Sequence, residues 1–356
     1  MNTQHAHEVT GIIPGYLLAN LAASGRFMRA AEAARQTLVA GRPAYHSTLE
    51  LSIGEDGSLI AEVSAAPTRT IYDAQNTEQL PGLIVREEDD APVADAAVNE
   101  AYDALGATFR LLLEAFERDS LDGAGAPLHA TVHYGVDYDN AFWDGTRMVF
   151  GDGDGEVFRG FTLSVSVIGH ELGHGVIQSA SGLVYQGQSG ALNESVADVL
   201  GVLTEQFLLG QTADQATWLV GEGIFTDAVQ GRALRSMIEP GTAYDDDELG
   251  KDPQPGHMRD YVDTLEDNGG VHINSGIPNR AFALTATTLG GNAWERAGLA
   301  WYRALTSGIS PRASFTDFAE ATLAASADLG DDVEAAVAAA WREVGVFEDD
   351  RTRSPR

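Results

Sequence analysis

The run Val167-Ile168-Gly169-His170-Glu171-Leu172-Gly173-His174-Gly175-Val176-Ile177 sets two histidines four residues apart between apolar flanks. On a helix, residues i and i+4 are rotated by about 40° and lie about 6 Å apart along the axis, so both imidazoles leave one face and can meet one ion. Glu171 then stands about 100° round the helix, at the edge of that face, where it can touch a water beside the ion without ligating it. A catalytic zinc takes three protein ligands and keeps one position open.

The third ligand is sought downstream. The first helix is expected to end near Ser181-Gly182, and a second run, Ala191-Leu192-Asn193-Glu194-Ser195-Val196-Ala197-Asp198, can return Glu194 to the metal from a neighbouring helix. Asp198, one turn beyond Glu194, is placed to accept the free N–H of a ligating histidine. A bare His-Glu-x-x-His also arises by coincidence on surface helices. The downstream Asn-Glu-x-x-x-Asp argues against that here.

Composition narrows the chemistry. The chain has 356 residues, 44% of them hydrophobic, which is enough for more than one core. It contains no cysteine, so disulfides, thiolate metal sites and cysteine nucleophiles are excluded and any metal must sit on nitrogen and oxygen. The net charge of −31 repels phosphate backbones and anionic lipid, so neither nucleic acid nor a membrane surface is an expected partner. No stretch approaches the roughly 18 consecutive apolar residues of a membrane span. The apolar stretch 11–23 lacks a basic flank before it and is interrupted by Pro14 and Gly15, which disfavours a secretory signal peptide.

Periodicity divides the rest. Residues 1–66 read as a separate lid or pro-segment, with helical spacing over 30–41 and a hairpin-like alternation over 49–63 around Glu55-Asp56-Gly57. Residues 67–162 read as a β-rich lobe with a helix over 93–118 and a strand at 128–134. Residues 163–347 read as the metal helix and a mainly helical lobe, and 348–356 as a tail. Asn292 and Glu295 suggest a capping box opening a helix over 292–307, a further helix over 332–341 should stop at Gly345, and the acidic run 245–248 reads as a solvated loop. The expected fold is α+β and two-lobed, with the metal helix between the lobes.

Several long motifs carry a family resemblance: Asn140-Ala141-Phe142-Trp143, Gly151-Asp152-Gly153-Asp154-Gly155, His170 to His174, Gly182-Leu183-Val184-Tyr185-Gln186, Asn193-Glu194, Leu234-Arg235-Ser236-Met237, and Asp267-Asn268-Gly269-Gly270-Val271-His272-Ile273-Asn274-Ser275-Gly276. Over most of the chain from Ile71 to Gly345 the sequence resembles the thermolysin family of zinc metallopeptidases, and its short N-terminal piece resembles that of the protealysin-like branch. The resemblance implies a metalloendopeptidase with zinc on His170, His174 and Glu194. Glu171 would move the proton, Tyr185 and His272 would stabilise the oxyanion, Asp267 would orient His272, and Asn193 would support the ligands with Asp198. It implies substrate held in extended form along Asn140 and Ala141, with Arg235 on a substrate carbonyl. Phe158, Val167, Val220 and Leu234 would line a pocket that prefers an apolar residue after the cut.

The run Gly11-Ile12-Ile13-Pro14-Gly15-Tyr16-Leu17-Leu18 resembles the branch's pro-segment, with Gly15 where a second proline is common. Such a segment implies a latent precursor, cut upstream of Ile71, whose partners are protein substrates and its own pro-segment and whose expected state is a monomer. Secretion is the family expectation, and action in the cytoplasm is the alternative. Relatives with a paired calcium site near the active helix use several carboxylates. Here Glu205 and Glu222 match, but Ser166, Thr217 and Leu219 replace the others. At most one calcium ion is expected near Glu205, because calcium wants six to eight oxygen ligands.

Overall fold

In the computed structural model, residues 11–40 and 66–347 are described. The hairpin expected over 49–63 and the tail from 348 lie outside them. The described N-terminal piece contains two short helices, α1 (Gly15–Ala22) and α2 (Met28–Val39). After it come β1 (Arg69–Thr77), β2 (Leu83–Glu87), α3 (Ala96–Phe116), β3 (Leu128–Tyr134), β4 (Ala141–Trp143) and β5 (Met148–Phe150). The five strands form one sheet in the order β2-β1-β3-β5-β4, with β1, β3 and β5 parallel and the two edge strands antiparallel to their neighbours. The tight turn 144–147 between β4 and β5 is set by Asp144, whose carboxylate accepts the amides of Thr146 and Arg147.

The long helix α3 packs against the sheet on one side and against α4 (Val165–Ala180) and α5 (Gly187–Leu209) on the other, so it forms the middle layer of the molecule. Asp95 caps α3 by accepting the amide of Ala97 and also meets His133 Nε2 at 2.8 Å, while His133 Nδ1 meets Asp152 at 2.8 Å. The bond to Asp152, working against partial burial and aided by Asp95, raises His133 to about 9. This doubly paired imidazolium ties the start of α3, strand β3 and the glycine-rich turn after β5.

Helices α4 and α5 touch along a seam of small residues. A Cβ on Gly201 would lie 2.3 Å from the carbonyl oxygen of Ser166, and one on Gly173 would lie 2.9 Å from Cα of Ala197. Glycine at these positions lets the two backbones approach closely enough for α5 side chains to reach those of α4. The short strands β6 (Leu219–Val220), β7 (Arg235–Ser236), β8 (Asp245–Asp246) and β9 (Gly250–Lys251) lead into α6 (Asp267–Asn274), α7 (Gly276–Leu289), α8 (Ala297–Thr306), α9 (Phe315–Ser326) and α10 (Asp331–Glu343). The helical lobe packs on a buried aromatic centre in which Trp301 and Trp341 stack, with Phe282 and Phe318 at their edges.

Two sequence expectations need correction. The run 245–248 is not a freely solvated loop: Asp246 is nearly buried and accepts the amides of Gln230, Glu248 and Leu249, closing the hairpin of β8 and β9. The helix expected from Asn292 begins at Ala297 instead. Asn292 and Glu295 bond to each other in a turn ahead of it, with Glu295 Oε1 accepting from the Asn292 amide.

Candidate active site

The two histidines leave α4 on one face, as the spacing requires, and α5 crosses beneath them. His170 Nε2 and His174 Nε2 stand 3.1 Å apart, and each lies 3.6 Å from a carboxylate oxygen of Glu194. Two ligands bonded to one ion at about 2.0 to 2.1 Å in tetrahedral geometry stand about 3.3 Å apart, so the three donors bracket the separations that zinc needs. The outer nitrogens are already committed. His170 Nδ1 is 2.7 Å from Asp198 Oδ1, and His174 Nδ1 is 2.8 Å from Asn193 Oδ1, whose own amide donates to the carbonyl of Leu183. That leaves Nε2 of each ring facing the metal position. Glu194 Oε2 is buried without a hydrogen-bond partner among the described residues, which suits an oxygen kept for a metal. Among the described residues these three form the one group of such side chains whose donor atoms all lie close enough together to hold one ion.

The electrostatics suit the ligands. Burial, with His170 beside it, lowers His174 to about 4 and keeps it neutral. Burial opposes the charge of Glu194, but His272, His170 and His174 outweigh it and hold the carboxylate at about 2. Asp198 is likewise held well below the usual carboxylate range, against its burial, by Arg235 and His170. Arg235 binds Asp198 through two nitrogens, at 2.7 and 2.9 Å, and Asn279 donates to the same carboxylate at 2.8 Å. Asn279 carries no signal in the sequence that marks it as part of the site. It is a fully buried polar residue within α7, four residues past Ser275, and only its contact with Asp198 marks it.

Across the metal position lies a second cluster. Tyr185 donates to Glu194 Oε1 in a short hydrogen bond, and its hydroxyl is 3.2 Å from His272 Nε2. His272 Nδ1 meets Asp267 Oδ1 at 2.6 Å, and the backbone N–H of His272 donates to the other oxygen at 2.9 Å. Asn268, Gly269 and Gly270 all take positive φ, and that tight left-handed turn folds Asp267 back onto the imidazole five residues later. Burial works against protonation of His272, but Glu194 and Asp267 raise it to about 9. Glu171 is fully buried beside the ligands, and burial together with Glu194 holds it well above the usual carboxylate range.

The edge strand β4 is occupied by the chain's own N-terminal segment. Gly11 bridges Phe142, the amide of Ile12 donates to the carbonyl of Ala141 at 3.0 Å, and the amide of Ile13 donates to Asn140 Oδ1 at 2.9 Å. The Asn140 amide returns to the carbonyl of Ile13 at 3.3 Å, and Arg235 donates to the carbonyl of Ile12 at 3.2 Å. Asn140, Ala141 and Arg235, expected to hold substrate, are thus all engaged by residues 12 and 13. A groove of about 760 Å³ remains alongside, bordered by Tyr138, Phe142, Leu265, Asp267 and His272. Phe158, Val167, Val220 and Leu234 are all buried, with Val220 paired to Arg235 across the β6–β7 ladder. Burial raises Glu205 and the nearby Glu222 charge adds to this, while hydrogen bonding with Ser166 opposes it; Glu222 itself is exposed.

Known metallopeptidases are similar to this chain over most of its length. Residues 41–178 match the family model described as the thermolysin metallopeptidase catalytic domain, and residues 181–346 match that of its alpha-helical domain. An "Extracellular metalloprotease" of Pectobacterium carotovorum subsp. carotovorum is 46% identical over 350 residues, covering 96% of this chain and 97% of its own length. "Protease PrtS" of Photorhabdus sp. (strain Az29) is 47% identical over 345 residues, covering 94% and 92%. The solved "Precursor of Protealysin, Metalloproteinase from Serratia proteamaculans" superposes with a TM-score of 0.86 at 49% identity, over 95% of this chain and all of that one.

Proposed function

The chain belongs to the thermolysin family of metallopeptidases and is a zinc metalloendopeptidase, and from that we propose that it cuts peptide bonds with the residues just described and is made latent. The observation that carries this is the convergence of His170 Nε2, His174 Nε2 and Glu194 on one point beside a buried Glu171. Zinc, which His170, His174 and Glu194 would hold, would supply Lewis acidity at the scissile carbonyl and make a nearby water more acidic. Glu171 takes the proton of that water and passes it to the leaving nitrogen. As the carbonyl oxygen gains charge, Tyr185 and His272 donate to it, with Asp267 fixing the imidazole. Asn140 and Ala141 hold the substrate as an added strand on the edge of the sheet, and Arg235 clamps a carbonyl. The buried apolar set of Phe158, Val167, Val220 and Leu234 favours an apolar side chain after the cut.

Latency is supported by the seating of residues 11–13 on the same groups that would hold substrate. Residues 1–66 are the pro-segment in this reading, and substrate can enter once they leave. The relatives named extracellular favour action outside the cell. Near Glu205 the chain supplies too few carboxylates for paired calcium ions.

The test is digestion of casein by the purified protein after removal of the N-terminal segment, run beside Glu171→Ala and a zinc-chelated sample. Cleavage that disappears in both controls is the expected result. No cleavage by a processed protein that carries zinc would overturn the general peptidase reading.

A further inference from the structure

The N-terminal segment is held at a second place, at the start of α2, by groups that do not border the groove, although the far end of α2 at Thr37 and Leu38 does. Helix α2 opens at Met28 behind Phe27, a residue with no side-chain acceptor for the free amides of the first turn. Those amides are satisfied from elsewhere in the fold: the N–H groups of Arg29 and Ala30 both donate to Glu156 Oε2, each at 3.0 Å. Glu156 therefore does for α2 what an N-cap side chain does within a helix, and its charge sits at the positive end of the helix dipole. The Arg29 guanidinium forks onto Asp137, with Nε 2.9 Å from Oδ2 and Nη2 2.5 Å from Oδ1. Farther along, Thr37 Oγ1 accepts the amide of Asp139 at 3.1 Å, and Ala30, Ala31, Ala33 and Ala34 are buried.

Asp137 and Glu156 stand on the loops before β4 and after β5, so one end of the β4–β5 pair presents both carboxylates. Neither belongs to the metal site or to the groups that would hold substrate. The segment is thus bivalent, with a strand anchor at residues 11–13 and a helix anchor at α2. When two anchors are joined, release of one leaves it at high effective concentration for rebinding.

We propose that Asp137 and Glu156 form a docking site outside the cleft for a helix with uncapped first-turn amides and an arginine at its second position. This site keeps the N-terminal segment bound as a non-covalent inhibitor after the chain between α2 and β1 is cut. The proposal rests on the latent-precursor reading. It makes dissociation of the cut segment the step that releases activity, and a step that salt accelerates, because bidentate charge pairs at a half-exposed surface are screened.

The test uses the full chain with a recognition sequence for a site-specific protease inserted within residues 41–66. In a Glu171→Ala background, the cut protein is followed by size-exclusion chromatography and by the rate at which the N-terminal piece dissociates. The piece should co-elute with the peptidase, and Asp137→Asn, Glu156→Gln or Arg29→Ala should each speed its loss about tenfold. The charge exchange Arg29→Glu with Asp137→Arg should restore retention, which a mere folding defect would not do. Equal dissociation from the unaltered chain and all variants would overturn the docking site. Casein digestion by the uncut chain with Glu171 in place, at the rate of the processed enzyme, would instead overturn latency, and that outcome is read separately from co-elution.

Discussion

His170 Nδ1 and Asp198 Oδ1 lie 2.7 Å apart, both fully buried, and the same carboxylate carries Arg235 and Asn279. One side chain thus sets the tautomer of a metal-facing imidazole and fixes the arginine that reaches toward the edge strand.

Asp198→Asn keeps the shape but removes the charge. Zinc affinity should fall about 10- to 100-fold, as is typical for loss of such a partner, and should be read by competition with a chelator. The melting temperature should also fall, because a buried Arg235 is left without its counter-charge. Unchanged zinc affinity would contradict the role given to Asp198.

His272→Ala should lower kcat by about 10²- to 10³-fold with little change in KM, because its donor acts where charge develops rather than in the ground state. Asp267→Asn should reproduce part of that loss. Steady-state kinetics on one peptide separate the two constants, and a pure KM effect would remove His272 from oxyanion stabilisation.

His133 predicts a pH dependence of stability. Its folded value of about 9 lies above its ordinary 6.5, so the pairing with Asp152 and Asp95 stabilises fully below 6.5 and is lost as pH rises through 9. Both carboxylates are well exposed, so screening reduces the effect to about 1 kcal/mol. Denaturant midpoints of Glu171→Ala and of Glu171→Ala with His133→Gln, compared from pH 6 to 9.5, should converge at the alkaline end. A gap that stays constant would remove the imidazolium from the account.

Calcium should matter little. A site filled at 100 times its dissociation constant adds about 2.7 kcal/mol, which would shift the unfolding temperature by several degrees. With Ser166 beside Glu205 where a second carboxylate would be needed, a calcium-selective chelator should leave the unfolding temperature nearly unchanged. A drop of that size would show a filled site.

The site was legible in the sequence where local geometry alone decides it. His170 and His174 share a face because of their spacing, and Glu194 and Asp198 share one for the same reason on α5. Asn279 was not legible, because its role exists only where α7 passes Asp198, and periodicity records which face is buried rather than what it meets. The capping of α2 by Glu156 escaped for the same reason: the acceptor is 127 residues from the Arg29 amide. A run of acids such as 245–248 reads the same in sequence whether it faces water or, as Asp246 does, closes a hairpin with backbone amides. Asn292 and Glu295 have capping-box spacing but satisfy each other instead of helix amides, so α8 starts only at Ala297.

The most direct measurement is zinc stoichiometry together with peptide cleavage for the processed protein, for Glu171→Ala and for Glu194→Ala. The account predicts one zinc per chain with activity in the first, one zinc without activity in the second, and loss of both in the third. Retained cleavage in Glu171→Ala, or full zinc occupancy in Glu194→Ala, would contradict it.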